Sequence, residues 1–107
     1  MSVSQVSKDS FQKEVLDQKG YVFIDFYADW CAPCKVTEPI VHQLADEIKD
    51  MKFVKIDVDQ NADIASQYSV FSIPTFVVLK DGKPVSSFVG AMGKESFEEE
   101  IAKARES

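Results

Sequence analysis

The pattern of apolar and polar positions divides the chain into alternating helix-like and strand-like segments. Residues 8–17 predict a first helix, with Phe11, Val15 and Leu16 at i, i+4 and i+5 and Ser7 or Asp9 as its cap. After Gly20, the run Tyr21-Val22-Phe23-Ile24-Asp25-Phe26-Tyr27 is dense in β-branched and aromatic residues. It is apolar on both faces, as a central strand covered by helices on each side should be, and Asp25 is its one exception. From about Cys34 to Lys49, the residues Val36, Ile40, Val41, Leu44, Ala45 and Ile48 keep to one face of a helix. Pro39 lies inside that pattern, where a proline costs about 3 kcal/mol or more. A kinked helix is expected, with its first turn presenting the cysteines.

Further on, Lys52-Phe53-Val54-Lys55-Ile56-Asp57-Val58 alternates as a second major strand, and Ala62 to Tyr68 predicts a short helix capped by Asn61 or Asp59. Ser72-Ile73-Pro74 reads as a turn, and Thr75 to Lys80 as a third apolar strand. Asp81-Gly82 is a two-residue hairpin signal, so Lys83 to Val89 returns as an edge strand with Pro84 near its start. Gly90-Ala91-Met92-Gly93 then breaks the chain before a last helix. That helix turns Phe97, Ile101 and Ala104 inward and carries Glu95, Glu98, Glu99 and Glu100 in its first turns, where the dipole favours acids. The alternation predicts an α/β protein: a mixed sheet with helices on both faces, in one domain over residues 1–107.

Charge narrows the choice of partners. Twelve basic against eighteen acidic residues leave a net charge of -6, which argues against nucleic acid or an anionic membrane surface. No apolar run approaches the roughly 20 residues that a spanning helix needs. Met1 to Asp9 show no basic segment followed by an apolar one, so the expected location is cytoplasmic.

In a reducing compartment, two cysteines at close spacing are more often catalytic or metal-binding than structural. Cys31 and Cys34, the only cysteines, flank Ala32-Pro33 where the first strand gives way to helical spacing, just after the only tryptophan, Trp30. Two thiols three positions apart at a helix start can close a small disulfide ring and reopen it. The first of them sits where unpaired backbone N–H groups and the positive end of the dipole favour an anion. Thiolate is the attacking species, so Cys31 is the expected nucleophile, with Cys34 close enough to resolve a mixed disulfide. Two other readings stand beside redox chemistry. Half a zinc site would draw on His42, the one histidine, a carboxylate or water, or a second chain. A buried inert pair is the other, although Trp30 and Pro33 suit an exposed turn better.

Asp25 stands among Ile24, Phe26 and Tyr27, where burial should raise its pKa. It is either a satisfied buried polar group or a general base that takes the Cys34 proton, directly or through water. Lys55 on the neighbouring strand is its candidate charge partner. Phe71, Ile73 and Met92 are either core or an apolar rim for docking, and His42 is assigned no role.

These residues carry a resemblance. Asp25-Phe26-Tyr27-Ala28-Asp29-Trp30-Cys31-Ala32-Pro33-Cys34-Lys35, Pro39, Lys55-Ile56-Asp57-Val58-Asp59, Ile73-Pro74-Thr75-Phe76, Asp81-Gly82 and Val89-Gly90 together resemble the thioredoxin family over nearly the whole chain. The resemblance implies a thioredoxin fold, with a central mixed sheet of about five strands flanked by about four helices. It implies a protein-disulfide reductase with Cys31 as nucleophile, Cys34 as resolving thiol, and Asp25 as a buried acid/base paired with Lys55. A cis bond before Pro74 is implied too, with the Ile73 backbone pairing to an extended substrate segment. Trp30, Ala32, Pro33, Ile73, Pro74, Gly90 and Ala91 would make the substrate-binding surface. No bound cofactor or metal is implied; electrons would come from NADPH through a flavoprotein, thioredoxin reductase. The partners would be that reductase and disulfide-containing proteins, met by a monomer. An oxidase or isomerase is the alternative chemistry on this fold, and a non-catalytic binding module the alternative class.

Two departures from the family pattern stand out. Ala32 replaces the usual Gly and is the better helix former by up to ~1 kcal/mol. If ~0.5 kcal/mol of that favoured one redox form, the potential would move by only about 10 mV. Tyr27 stands where many relatives carry a second Trp, which alters packing rather than chemistry.

Overall fold

Tyr21–Tyr27 forms the middle of the sheet because neither of its faces can be left to water. The structure, a computed structural model, describes residues 3–107. Its strands are β1 (Val3–Gln5), β2 (Tyr21–Tyr27), β3 (Met51–Asp57), β4 (Thr75–Lys80) and β5 (Lys83–Val89). The helices are α1 (Ala32–Glu47), α2 (Ala62–Gln67) and α3 (Lys94–Arg105), with one π-helical turn at Gln12–Leu16. The strands lie in the order β1-β3-β2-β4-β5, with β3 parallel to both β1 and β2. The other half is antiparallel, β2 with β4 and β4 with β5. This is the mixed sheet with helices on both faces that the pattern predicts, with the five strands that the resemblance implies.

Strand alternation sorts the core into two layers. Phe23, Phe53, Phe76 and Phe88 meet Val41 and Leu44 of α1 and Phe97 and Ile101 of α3. Rings there pack edge-on and stacked, Phe76 against Phe97 at 4.8 Å between centroids and Phe23 against Phe53 at 4.9 Å. On the opposite face, Ile24, Phe26, Val54, Ile56 and Val77 meet Phe11, Val15 and Ile64. Period two therefore puts Asp25 on the α1 side of β2, with Phe23.

The β4–β5 hairpin turns on Asp81 and Gly82, both at positive φ (51° and 81°). That pairing matches the twist of the flanking strands and explains the Asp-Gly sequence. Asp81 also ties the hairpin to the residue just before β2, its carboxylate accepting from the Gly20 N–H at 2.7 Å.

Two expectations need correcting, and one element was missed. The helix predicted over residues 8–17 is only the π-helical turn Gln12–Leu16, preceded by a turn. Ser10 accounts for the late start: its N–H and hydroxyl both donate to the Ser7 carbonyl, giving the backbone an alternative to helix. Val36 is not on the inner face of α1 but 65% exposed. The buried positions are Cys34, Thr37, Val41, Leu44 and Ala45. Thr37 tolerates full burial because its hydroxyl donates back to the carbonyls of Cys34 (3.1 Å) and Pro33 (3.4 Å). Strand β1 was absent from the pattern, being three residues long, although Val3 is buried against the α1 layer. Helix α1 runs as one element through Pro39. Among the described residues, no helix is long and apolar enough to cross a membrane.

Candidate active site

The end of β2 delivers the cysteines. The Cys31 N–H donates to the Ala28 carbonyl at 3.1 Å, closing a turn that leaves Cys31 at the N-cap of α1 in extended backbone (φ -87°, ψ 105°). Pro33 follows in the first turn, where its missing N–H has no partner to lose. The Cys31 sulfur accepts from the Cys34 N–H at 3.2 Å, taking the place that a Ser or Asp oxygen fills in an ordinary cap. Cys31 and Cys34 are joined in a disulfide across a Cα–Cα distance of 5.3 Å. In the dithiol form, the same N–H and the helix dipole favour a thiolate on Cys31.

The pair is less open than its flanks suggested. Trp30 is 70% exposed and Ala32 and Pro33 are exposed, yet Cys31 and Cys34 are only 3% and 5% accessible. Ala28 packs with the two sulfurs, and Tyr27, Val58 and Ile73 close over them. Paired sulfur behaves as an apolar group, so the same contacts that shield it also stabilise it. Trp30 is held in place by its indole N–H, which donates to an Asp59 carboxylate oxygen at 2.7 Å.

The loop before β4 comes alongside. The Ile73–Pro74 peptide bond is cis, and the Ile73 carbonyl oxygen lies 3.8 Å from the Cys31 sulfur. The Gly90 N–H donates to the Pro74 carbonyl at 2.9 Å, drawing the segment after β5 to the same place. Ile73, Pro74 and Gly90 are thus brought together beside Cys31, with exposed Ala91 next in the chain. Of the three ambiguous apolar residues, Phe71 is 88% exposed, Ile73 covers the disulfide, and Met92 packs against the α1–α3 layer.

Behind the disulfide lies a cleft of about 280 Å³ lined by Asp25, Cys34, Glu38, Lys55 and Asp57, among others. Asp25 is buried, and among the described residues its Oδ1 finds no hydrogen-bond partner. Loss of hydration pushes its pKa up to about 7, the Glu38 charge adds to the rise, and the Lys55 charge opposes it. Lys55 stands opposite Asp25 in the parallel β2–β3 register. Its ion pair, however, is with Glu38 at 3.7 Å, and its ammonium lies 5.4 Å from the Tyr27 ring centroid. Burial, together with Asp57, Asp29, Asp25 and Glu38, pushes the Tyr27 phenol up to about 12, and its oxygen accepts from the Gln5 amide at 2.7 Å.

Glu38 is the site residue that sequence reasoning missed. Its signal was present, since position 38 is one helical turn beyond Cys34 and so faces the same way. Asp57, two positions beyond Lys55 on one strand, could have been found likewise. Among the described residues, no group of three or more His, Cys, Asp and Glu side chains could hold a metal ion.

Comparison with known proteins agrees with this geometry. The thioredoxin family model matches residues 2–103. Thioredoxin of Porphyra purpurea is 41% identical over 104 residues, covering 96% of this chain and 97% of the relative. Thioredoxin of Bacillus subtilis (strain 168) is 43% identical, covering 96% and 98%. Among solved structures, a point mutant of thioredoxin from Halobacterium salinarum NRC-1 superposes with a TM-score of 0.83 at 37% identity, over 91% of this chain and 85% of that one.

Proposed function

Since the chain belongs to the thioredoxin family and is a thiol–disulfide oxidoreductase, we propose that it works as a protein-disulfide reductase in cell redox homeostasis and electron transport. The observation that carries this reading is the Cys31 sulfur at a helix N-cap, 3.2 Å from the Cys34 N–H, with Cys34 and Asp25 lining one cleft.

In the reduced protein, the Cys31 thiolate attacks one sulfur of a substrate disulfide. A mixed disulfide forms, and the released substrate thiolate takes a proton from water. Asp25, as carboxylate, then accepts the Cys34 proton directly or through water in the cleft. The Cys34 thiolate attacks the Cys31 sulfur, the Cys31–substrate bond breaks, the Cys31–Cys34 bond forms, and the second substrate thiolate leaves. Two electrons have passed from the cysteine pair to the substrate. Lys55, by its charge, tunes Asp25.

The substrate segment lies extended along the Ile73 backbone, over a surface made by Trp30, Ala32, Pro33, Ile73, Pro74, Gly90 and Ala91. Recycling is by a flavoprotein thioredoxin reductase drawing on NADPH, in the cytoplasm, with the protein acting as a monomer.

The test is insulin-disulfide reduction with NADPH and thioredoxin reductase, alongside the equilibrium potential of the Cys31–Cys34 pair in glutathione and dithiothreitol buffers. NADPH consumption and a potential below the cytosolic glutathione poise are expected. A potential near those of oxidases or isomerases would reassign the protein to disulfide formation.

A further inference from the structure

The cleft behind the disulfide holds more charge than the proposed chemistry uses. Asp25 shares this cleft with Tyr27 from its own strand, Asp29 from the turn after it, Cys34, Lys35 and Glu38 from α1, and Lys55 and Asp57 from β3. On its other flank, β4 places Thr75, Phe76 and Val77 and brings no charge. Lys55 is therefore the cation best placed by register to pair with Asp25. It does not do so. Among the described residues Asp25 forms no ion pair, whereas the Lys55 ammonium sits 3.7 Å from a Glu38 carboxylate oxygen and against the Tyr27 ring.

We propose that Glu38 is a positioning residue that draws Lys55 away from Asp25 and so decides when Asp25 holds its proton. Of the carboxylates in the cleft that Lys55 could pair with, Asp25 is buried without a hydrogen-bond partner on Oδ1 and Glu38 is half exposed at the rim. The lysine keeps more of its hydration by pairing with the rim carboxylate, and the buried one is left to find its own counter-charge, a proton. Glu38 adds to this by its own negative charge. It acts on the resolving step through Asp25, both by its own charge and by holding Lys55.

This inference rests on Asp25 as the base for Cys34, and the experiment separates the two. Carbon-13 NMR titration of the Asp25 carboxyl reads its protonation whatever its role. Two-phase release of nitrothiobenzoate from 5,5′-dithiobis(nitrobenzoate) reads the resolving step in its second phase. Glu38→Gln should lower the Asp25 midpoint by roughly half to one pH unit and move the pH profile of the second phase by the same amount. Lys55→Gln should raise the midpoint. On the Lys55→Gln background, Glu38→Gln should shift it by less, leaving the part that comes from the Glu38 charge itself. An unmoved midpoint in Glu38→Gln, or a shift undiminished when Lys55 is absent, overturns the proposal. A second phase that keeps its rate and pH profile in Asp25→Asn removes the base role instead, without touching the NMR result.

Discussion

Replacing Asp25 by Asn should stabilise the oxidised protein, and increasingly so as pH rises. The carboxyl has an ordinary value of 3.8 when the chain is unfolded and about 7 when folded, because burial penalises the charge. Between those values the native state holds a proton that the unfolded state has released, so stability falls as pH increases. About three units at 1.36 kcal/mol each give a loss of roughly 4 kcal/mol, complete above pH ~7 and absent below pH ~4. Asparagine carries no such penalty. Any fixed cost of burying its amide is the same at every pH. Urea unfolding of the two proteins, disulfide intact, should show a gap that widens by about 3 kcal/mol from pH 5 to pH 8 and then levels off. Groups common to both proteins cancel in that difference. Stability curves that run parallel across this range would refute a buried carboxyl titrating near neutrality.

Cys34→Ser should leave the first attack intact and accumulate a mixed disulfide on Cys31, visible by mass spectrometry, while insulin turnover falls to background. Gly82→Ala should cost at least ~1–3 kcal/mol in chemical denaturation. The position has φ +81°, and an added Cβ would lie 2.6 Å from the Leu16 carbonyl oxygen. Phe71→Ala removes a side chain that is 88% exposed, so stability should hardly change. If the apolar rim docks protein substrates, KM for insulin should rise several-fold while reaction with a small disulfide stays the same.

Long, strongly patterned segments were legible in the chain. Tyr21–Tyr27 declared itself a central strand, the Asp81-Gly82 pair a hairpin, and Cys31 a helix-start thiol, because each rests on local stereochemistry or on a period that needs no partner. The cysteines, Asp25, Lys55 and the Ile73-Pro74 segment were all singled out from sequence. Features that depend on a neighbour distant in sequence were not. Val3–Gln5 is too short to carry a period, and becomes a strand only because β3 offers an edge. Val36 matched the apolar pattern yet faces outward, since the α1 face that packs is set by where the sheet lies, and Thr37 takes the buried place by bonding its own helix.

What the sequence determined by itself is the chemistry: two thiols three residues apart at a helix start, a carboxyl in an apolar strand, and a rigid Ile-Pro turn. Only the tertiary structure decided how these act on one another. Strand register sets Lys55 opposite Asp25, helix docking brings Glu38 down to take that lysine, and the sheet order carries Ile73 to within 3.8 Å of the Cys31 sulfur. Local composition fixes which groups can react. Their charges and access follow from burial and separation in space, and those are properties of the folded chain.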